Sequence, residues 1–295
     1  MTPTTNEPVK ILITAQNSYI GNNFSNWVKD KPQFETAYFS CRDEKWVETD
    51  FSKYDVILHV AGIAHIEAKA NQESLYYKVN RDLTIQLAQK AKREGVKQFI
   101  FLSSMIVFGE SNRKNGNIVI TRNTQPSPSG FYGDSKLQAE QGILPLHSEH
   151  FKVAIIRPPM VYGRNSKGNF PKLAALATKL PIFPKIENQR SMLYIENLCA
   201  FIQCLIDHQE HGIFHPQNEE YVNTTELVGL IARVQNKKMI FIKAFNPLVK
   251  LFSKRMDRLN KLFGTYKYSK EMSAYRKNYW VYSFKESIWL TERGQ

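Results

Sequence analysis

Short apolar runs alternate with longer stretches of helical periodicity through the first half of the chain, and few folds accommodate that rhythm. Val9–Thr14 reads as a first strand, Tyr19–Lys29 as the helix behind it and Thr36–Ser40 as a second strand. Asp55–Val60 is apolar almost throughout, the pattern of a strand covered on both faces of a parallel sheet. Residues 74–94 carry apolar positions at helical spacing and stop at Gly95, a C-cap signal. Gln98–Leu102 and Val153–Ile156 complete the set as fourth and fifth strands. Such alternation predicts βαβ units and an α/β fold built on a doubly wound parallel sheet. In such a sheet ligands bind at the carboxyl edge. Residues 111–130, rich in Asn, Ser, Pro and Gly, are predicted to form a loop there. Beyond Gly163 the rhythm loosens, with helices expected again over 223–236 and 247–263.

The formal charge of +13 raises the question of an anionic partner. From Arg233 to Gln295 there are fifteen Lys/Arg and four Asp/Glu, so eleven of the thirteen excess charges sit in the last fifth of the chain. No recognition helix, zinc finger or aromatic RNA-binding signature accompanies them, so nucleic acid is not expected as a partner. The N-terminal residues lack the basic and apolar regions of a secretory signal. No run approaches the roughly 20 apolar residues of a membrane span. Three scattered cysteines, Cys41, Cys199 and Cys204, argue against a disulfide framework and for a reducing cytoplasm.

Tyr132-Gly-Asp-Ser-Lys136 places a phenol and an ammonium on one helix face. A nearby cation stabilises phenolate and is expected to lower the Tyr132 pKa, fitting it for proton transfer. The same spacing recurs at Tyr266 and Lys270 without context, so spacing alone is weak. The context lies in Leu102–Gly109, where Ser104 ends a strand and can orient a reacting oxygen, and in Ile156–Gly163, which closes the fifth strand.

Together with Ile13–Gly21, Asp55–Gly62, Val79-Asn80 and Arg190–Leu198, these segments resemble, in order and spacing, the extended short-chain dehydrogenases of the nucleotide-sugar epimerase/dehydratase group. The resemblance covers nearly the whole chain. It implies a Rossmann domain over 1–162 and about 190–216, and a smaller C-terminal substrate-binding lobe over 163–189 and 217–295. By the same resemblance Tyr132 is the acid/base, Lys136 its pKa modulator and a ribose ligand, Ser104 the substrate hydroxyl partner and Asn80 a support. Coenzyme contacts are implied at Ala15, Ser18, Tyr19, Ile20, Gly21, Arg42, Val60, Ala61, Gly62, Ser103, Pro158 and Pro159. Substrate contacts are implied at Asn169, Phe170 and Arg190, where an arginine fork suits a diphosphate, while His65, on the loop leaving the third strand, is either a sugar contact or a plain loop histidine.

One departure stands out. The family's glycine-rich turn has three glycines, and here Ala15 and Ser18 replace two of them, leaving Gly21. Looser coenzyme binding is the expectation. Arg42, after the second strand, favours NADP(H) over NAD(H), with Asp43 beside it as the counter-indication. Residues 168–198 look most like bacterial capsule and O-antigen enzymes that reduce C4 of UDP-linked 4-keto-6-deoxy-N-acetylhexosamines. A UDP-hexose 4-epimerase with tightly held NAD is the alternative, and a non-catalytic sensor or scaffold the third reading. The family's habit implies a homodimer through a four-helix interface that includes the Tyr132 helix.

His208, His211 and His215 are spaced suggestively for a metal, but Gly212 interrupts any helix that would align them, so no metal is expected. Residues 247–263 gather Leu248, Leu251, Phe252, Met256, Leu259, Leu262 and Phe263 on one helical face with lysines around it. Packing on its own domain explains this face, and peripheral membrane contact is the alternative.

Overall fold

The computed structural model describes residues 7–42, 44–63, 72–109, 117–246 and 262–293. In chain order the strands are β1 (Val9–Thr14), β2 (Phe34–Phe39), β3 (Val56–His59), β4 (Gln98–Leu102), β5 (Asn117–Ile120) and β6 (Lys152–Ile156). They continue with β7 (Met160–Tyr162), β8 (Ile182–Pro184), β9 (Met192–Tyr194), β10 (Gly212–Phe214), β11 (Ile240–Ile242) and β12 (Thr265–Tyr268). The α-helices are α1 (Tyr19–Val28), α2 (Glu73–Tyr76), α3 (Leu83–Arg93), α4 (Phe131–Ile143), α5 (Asn169–Lys179), α6 (Ile195–Asp207), α7 (Thr224–Val234) and α8 (Phe284–Arg293). Two compact units divide the chain, and each draws on three separate segments. The first takes Met1–Val107, Pro128–Arg157 and Cys199–Phe214; the second takes Phe108–Ser127, Pro158–Leu198 and His215–Gln295.

The first unit is built on a parallel sheet in the order β10-β6-β4-β3-β1-β2. All of its pairings are parallel, with Ile11 beside both Thr36 and Val56, and Ile100 beside both Leu58 and Ala154. Strand order reverses between β1 and β3, the topological switch point at which such sheets open a crevice beyond their carboxyl ends. β3 and β4 are buried at every position, as their unbroken apolar runs predict. On one face Leu12, Ile57, Phe99, Phe101, Val153 and Ile155 pack against Leu87, Ala88 and Ala91 of α3 and Ala139 and Ile143 of α4. Each such fully buried aliphatic or aromatic side chain contributes about 1.5–3 kcal/mol.

The second unit holds three two-stranded parallel pairs, β5 with β12, β7 with β9 and β8 with β11. α5 packs on α7, and α7 on α8. β5 lies inside the stretch expected to be loop. Its apolar run, Ile118–Ile120, is only three residues long and buried only at its last position, and its partner β12 is distant in sequence. The helix expected over 74–94 is also interrupted: between α2 and α3 the chain takes a π-helical turn over Tyr77–Asp82. Most of the amphipathic stretch 247–263 lies outside the described residues, as do Asp43 and His65. Among the described residues no helix is long and apolar enough to cross a membrane.

α1 approaches the sheet at Gly21. A Cβ built there would meet Ile13 Cγ2 of β1 at 2.8 Å and Val60 Cγ2, just past β3, at 3.3 Å, both on β-branched side chains with little room to yield. Gly21→Ala is therefore expected to lower the unfolding free energy by about 1–3 kcal/mol, read from urea denaturation. An unchanged midpoint would show that α1 is free to shift.

Candidate active site

The carboxyl end of β4 leads directly into a 3-10 turn, Met105–Phe108, with Ser103 and Ser104 between them. α4 begins at Phe131 after an extended Gly130 and comes down on that turn. Gly133 allows the approach, because a Cβ there would lie 2.9 Å from the Ile106 carbonyl oxygen and 3.0 Å from Pro128 Cβ. Tyr132, one residue earlier, is thereby brought close to Ser104, whose hydroxyl acts to lower the phenol's pKa. Ser104 also accepts from the Ile106 amide at 3.3 Å, which fixes its rotamer.

Lys136, one turn further along α4, is buried, and its ammonium donates to the Leu102 carbonyl at 2.8 Å and lies over the Phe101 ring. Burial lowers its pKa to about 8, with the Glu140 carboxylate opposing the fall. The phenol does not follow the expected direction. Burial holds Tyr132 above its ordinary value, the Ser104 hydroxyl pulls it down in part, and Tyr76 pushes it up. The reason is geometric: the Lys136 cation is directed at a backbone carbonyl, and desolvation of phenolate outweighs what Ser104 supplies.

Ser103 faces the other way. Its buried hydroxyl donates to the Glu140 carboxylate, which also receives Arg157 Nε at 3.1 Å and Arg157 Nη2 at 2.5 Å. Glu140 is 1% exposed and Arg157 8%, so this is an interior ion pair joining α4, β4 and the end of β6. The Ser103 hydroxyl is therefore committed to this ion pair, and its amide to the Ile156 carbonyl at 2.8 Å. Neither Glu140 nor the inward role of Ser103 is visible in a motif, since the pairing crosses three elements.

Asn80 occupies the π-helical turn and is fully buried. Its amide oxygen accepts from the Ile63 N–H at 2.8 Å, and its NH2 donates to the Ile63 carbonyl and to Ser135 Oγ at 3.1 Å each. The loop after β3, carrying Val60, Ala61 and Gly62, is thus clamped to α4. A second buried chain runs beneath it. Thr14 Oγ1 accepts from the Val60 and Ala61 amides at 2.9 Å each, so its proton points at His59 Nδ1, 3.0 Å away. Thr84 gives its proton to the Asn80 carbonyl at 2.8 Å and therefore accepts from His59 Nε2–H at 2.8 Å. The ring is held as the neutral Nε2–H tautomer, and burial with the Lys136 charge takes its pKa down to about 3. His59 had read as the end of an apolar strand, and nothing in its sequence context marked it.

The turn from β1 into α1 fits a pyrophosphate despite its missing glycines. Ala15 adopts φ 68°, the left-handed conformation that the first glycine of such a turn provides. Ser18 caps α1, accepting from the Gly21 amide at 3.2 Å with its own proton left to donate. Tyr19, Ile20 and Gly21 follow as the first turn of α1, whose N-terminal dipole favours a phosphate. Cys41, beside Ala15, has its thiol pushed up to about 12 by burial and is not a nucleophile. Arg42 is exposed just beyond β2.

The remaining residues belong to the second unit. Pro158 and Pro159 are buried at its start, and Asn169 is exposed at the head of α5. The ring of Phe170 is 2% exposed and stacks on Tyr162 at 5.2 Å, so the side chain packs in the core. Arg190 donates to the Gly264 carbonyl at 3.1 Å, and among the described residues no carboxylate pairs with it. Burial lowers its pKa to about 10, offset only by the Tyr266 phenol, the condition of a guanidinium suited to an anion. Among the described residues no group of three or more His, Cys, Asp or Glu is placed to hold a metal. His211 stacks on His147, His208 donates to the Cys204 carbonyl and His215 packs edge-on against Tyr268.

A family model described as NAD dependent epimerase/dehydratase family matches residues 6–218. The chain belongs to this family. Within the epimerase/dehydratase family it is 31% identical over 290 residues to the UDP-glucose 4-epimerase of Vibrio cholerae, covering 88% of this chain and 86% of that protein. It is 27% identical over 252 residues to the N-acetyl-alpha-D-glucosaminyl-diphospho-ditrans,octacis-undecaprenol 4-epimerase of Escherichia coli O157:H7, covering 82% and 74%. Among solved structures, the UDP-glucuronic acid 4-epimerase of Bacillus cereus in complex with NAD aligns over 97% of this chain and 98% of its own, with a TM-score of 0.73 at 16% identity, a likeness of fold.

Two consequences are measurable. Between pH 6.5 and 3 the unfolded chain binds a proton at His59 that the folded chain refuses, so this group costs about 1.4 kcal/mol of stability per pH unit as pH falls. NMR of the His59 ring should show the neutral Nε2–H tautomer still present at pH 5, and titration at an ordinary histidine value would contradict the chain. Separately, Ala15→Gly should raise the unfolding free energy by up to about 1 kcal/mol by relieving the left-handed alanine. A loss of stability in that variant would mean that the φ of Ala15 is unstrained.

Proposed function

We propose that the protein is an NAD(P)-dependent C4 oxidoreductase of a hexose or N-acetylhexosamine carried on a diphosphate, working as a 4-epimerase. The observation that carries this is the placement of the Tyr132 phenol beside Ser104 at the carboxyl end of β4, with the buried Lys136 one turn along the same helix. A bound nicotinamide would supply hydride transfer from the sugar's C4 and back to its opposite face. Tyr132 Oη takes the proton of the C4 hydroxyl and gives it back. A phenol held above its ordinary pKa keeps its proton at neutral pH for the return step, and Ser104, which draws that pKa down in part, favours the phenolate needed for the first. Ser104 shares the reacting oxygen and meets charge as it develops there. Ala15, Ser18 and the first turn of α1 would hold the coenzyme diphosphate, Lys136 the ribose, and Arg190 the sugar diphosphate. The similarity to two 4-epimerases, one of them acting on a UDP-sugar and the other on an undecaprenol-linked sugar, supports C4 and a diphosphate carrier.

A second reading, reduction of a UDP-linked 4-keto-6-deoxy-N-acetylhexosamine by NADPH, is favoured by Arg42, exposed where a 2′-phosphate is met, and by Ala15 in place of glycine. A reductase exchanges coenzyme every turnover and has use for a looser turn.

The deciding experiment offers UDP-N-acetylglucosamine, UDP-glucose and undecaprenyl-diphospho-N-acetylglucosamine with NAD, and the 4-keto sugar with NADPH or NADH. NMR follows the sugar and absorbance follows the nicotinamide. Interconversion at C4 without net coenzyme change establishes the epimerase; stoichiometric NADPH loss establishes the reductase instead. In either case Tyr132→Phe should lower kcat by about 10²–10⁴-fold. Arg190→Lys should act mainly on KM, since a point charge replaces a bidentate fork. Full activity in Tyr132→Phe would remove the proposed acid/base.

A further inference from the structure

β8 and β11 pair in parallel in the second unit, with Ile182 opposite Ile240 and Phe183 opposite Phe241. The phenylalanines point inward: Phe183 is 2% exposed, and Phe241 lies against Gly229 of α7. Period-two alternation then requires Ile182 and Ile240 to point outward, where a strand pair facing water carries polar residues. They are 40% and 60% exposed, and Leu180, at the end of α5 just before β8, adds a third bare aliphatic at 41%. An apolar patch on the outer face of a two-stranded ribbon contributes nothing to the fold it sits on.

The charges in the segments that carry the patch are mostly of one sign. Lys179 and Lys185 bracket β8, and Lys237, Lys238 and Lys243 bracket β11, all exposed. Over residues 179–187 and 233–246, six Lys/Arg stand against the single carboxylate of Glu187. Protein–protein interfaces are enriched in aromatic residues and arginine and depleted in lysine, the reverse of this composition. Nucleic-acid surfaces combine basic side chains with polar or stacking groups rather than bare aliphatics. Aliphatic side chains ringed by lysine are the chemistry of the bilayer interface, where apolar groups enter the acyl boundary and ammonium groups meet anionic headgroups.

We propose that the β8–β11 face is a peripheral docking surface for an anionic phospholipid bilayer. It goes beyond the catalytic reading and does not depend on turnover.

The test is flotation of the purified full chain with vesicles of phosphatidylethanolamine and phosphatidylglycerol, against vesicles of phosphatidylcholine alone. Two variants accompany it: Ile182→Ser with Ile240→Ser, which changes only exposed side chains, and Lys237→Glu with Lys238→Glu. The native chain is expected to float with the phosphatidylglycerol vesicles, to leave them as salt rises, and to stay behind with phosphatidylcholine. Each double variant should bind roughly tenfold more weakly or worse. Turnover of a soluble UDP-sugar, where the native chain has it, should be unchanged in both variants, so loss of vesicle binding and loss of catalysis are read separately. The proposal is overturned if the native chain ignores anionic vesicles. It is equally overturned if the variants bind as the native chain does, or if the isoleucine variant converts a dimer to a monomer by sedimentation without any vesicle binding, which would make the face a contact between two copies.

Discussion

Everything at the carboxyl edge of the sheet depends on the placement of one helix, α4, and that placement rests on an interior ion pair. Glu140 lies between the Arg157 guanidinium and the Ser103 hydroxyl, with Glu140 and Arg157 almost wholly out of solvent. Isolated buried charges are costly, so the pair persists only because both oxygens of the carboxylate are taken up by directed donors. Directionality is what the site gains. A hydrophobic contact would tolerate sliding of α4 along the sheet, whereas three donors converging on one carboxylate do not. Since Ser103 and Ser104 are adjacent, the same stretch of backbone anchors the helix with one hydroxyl and presents the other to Tyr132. Glu140 also opposes the fall of the Lys136 pKa, so the anchor keeps a charge on the ammonium four residues before it.

The other wall of the site is held by neutral hydrogen bonds. Thr14, His59, Thr84 and Asn80 form a continuous buried chain from β1 through the end of β3 to the helical layer, and every proton in it has one destination. The π-helical turn makes this possible by inserting Asn80 where a regular helix would displace it, a common use of such turns at functional sites. One wall is thus charged and fixed by geometry, the other neutral and fixed by proton count. Between them the loop after β3 and the turn after β4 have little freedom.

The central sheet was legible because parallel strands buried on both faces leave unbroken apolar runs, and β1, β3, β4 and β6 lie within a residue or two of their expected limits. β5 was not, because a strand in a peripheral pair needs only one buried position and its partner lies far along the chain. In the site, Tyr132, Lys136 and Ser104 stood out by spacing and context. Glu140, Arg157 and His59 did not, since their meaning lies in partners on other elements. The direction of the Tyr132 shift was missed because sequence supplies the neighbouring cation but neither its aim nor the depth of burial. Ala15 was read as a departure from the glycine pattern, yet its backbone keeps the left-handed conformation that the pattern exists to provide.

The interleaving of the two units has a consequence for how the chain comes off the ribosome. Each unit is completed by segments separated by parts of the other, and the first closes only with Cys199–Phe214. Vectorial synthesis delivers β1 to β6 well before β10, the strand that covers the outer edge of β6. For that interval β6 presents an unpaired edge in a long-range, slowly formed parallel sheet, the condition in which nascent chains pair with one another. The buried Gln98 amide, which later grips the carbonyls of Leu205 and Glu210, has no partner until then either. Yield from overexpression should accordingly be governed by translation speed and chaperone supply across residues 157–214, independently of how stable the finished protein is.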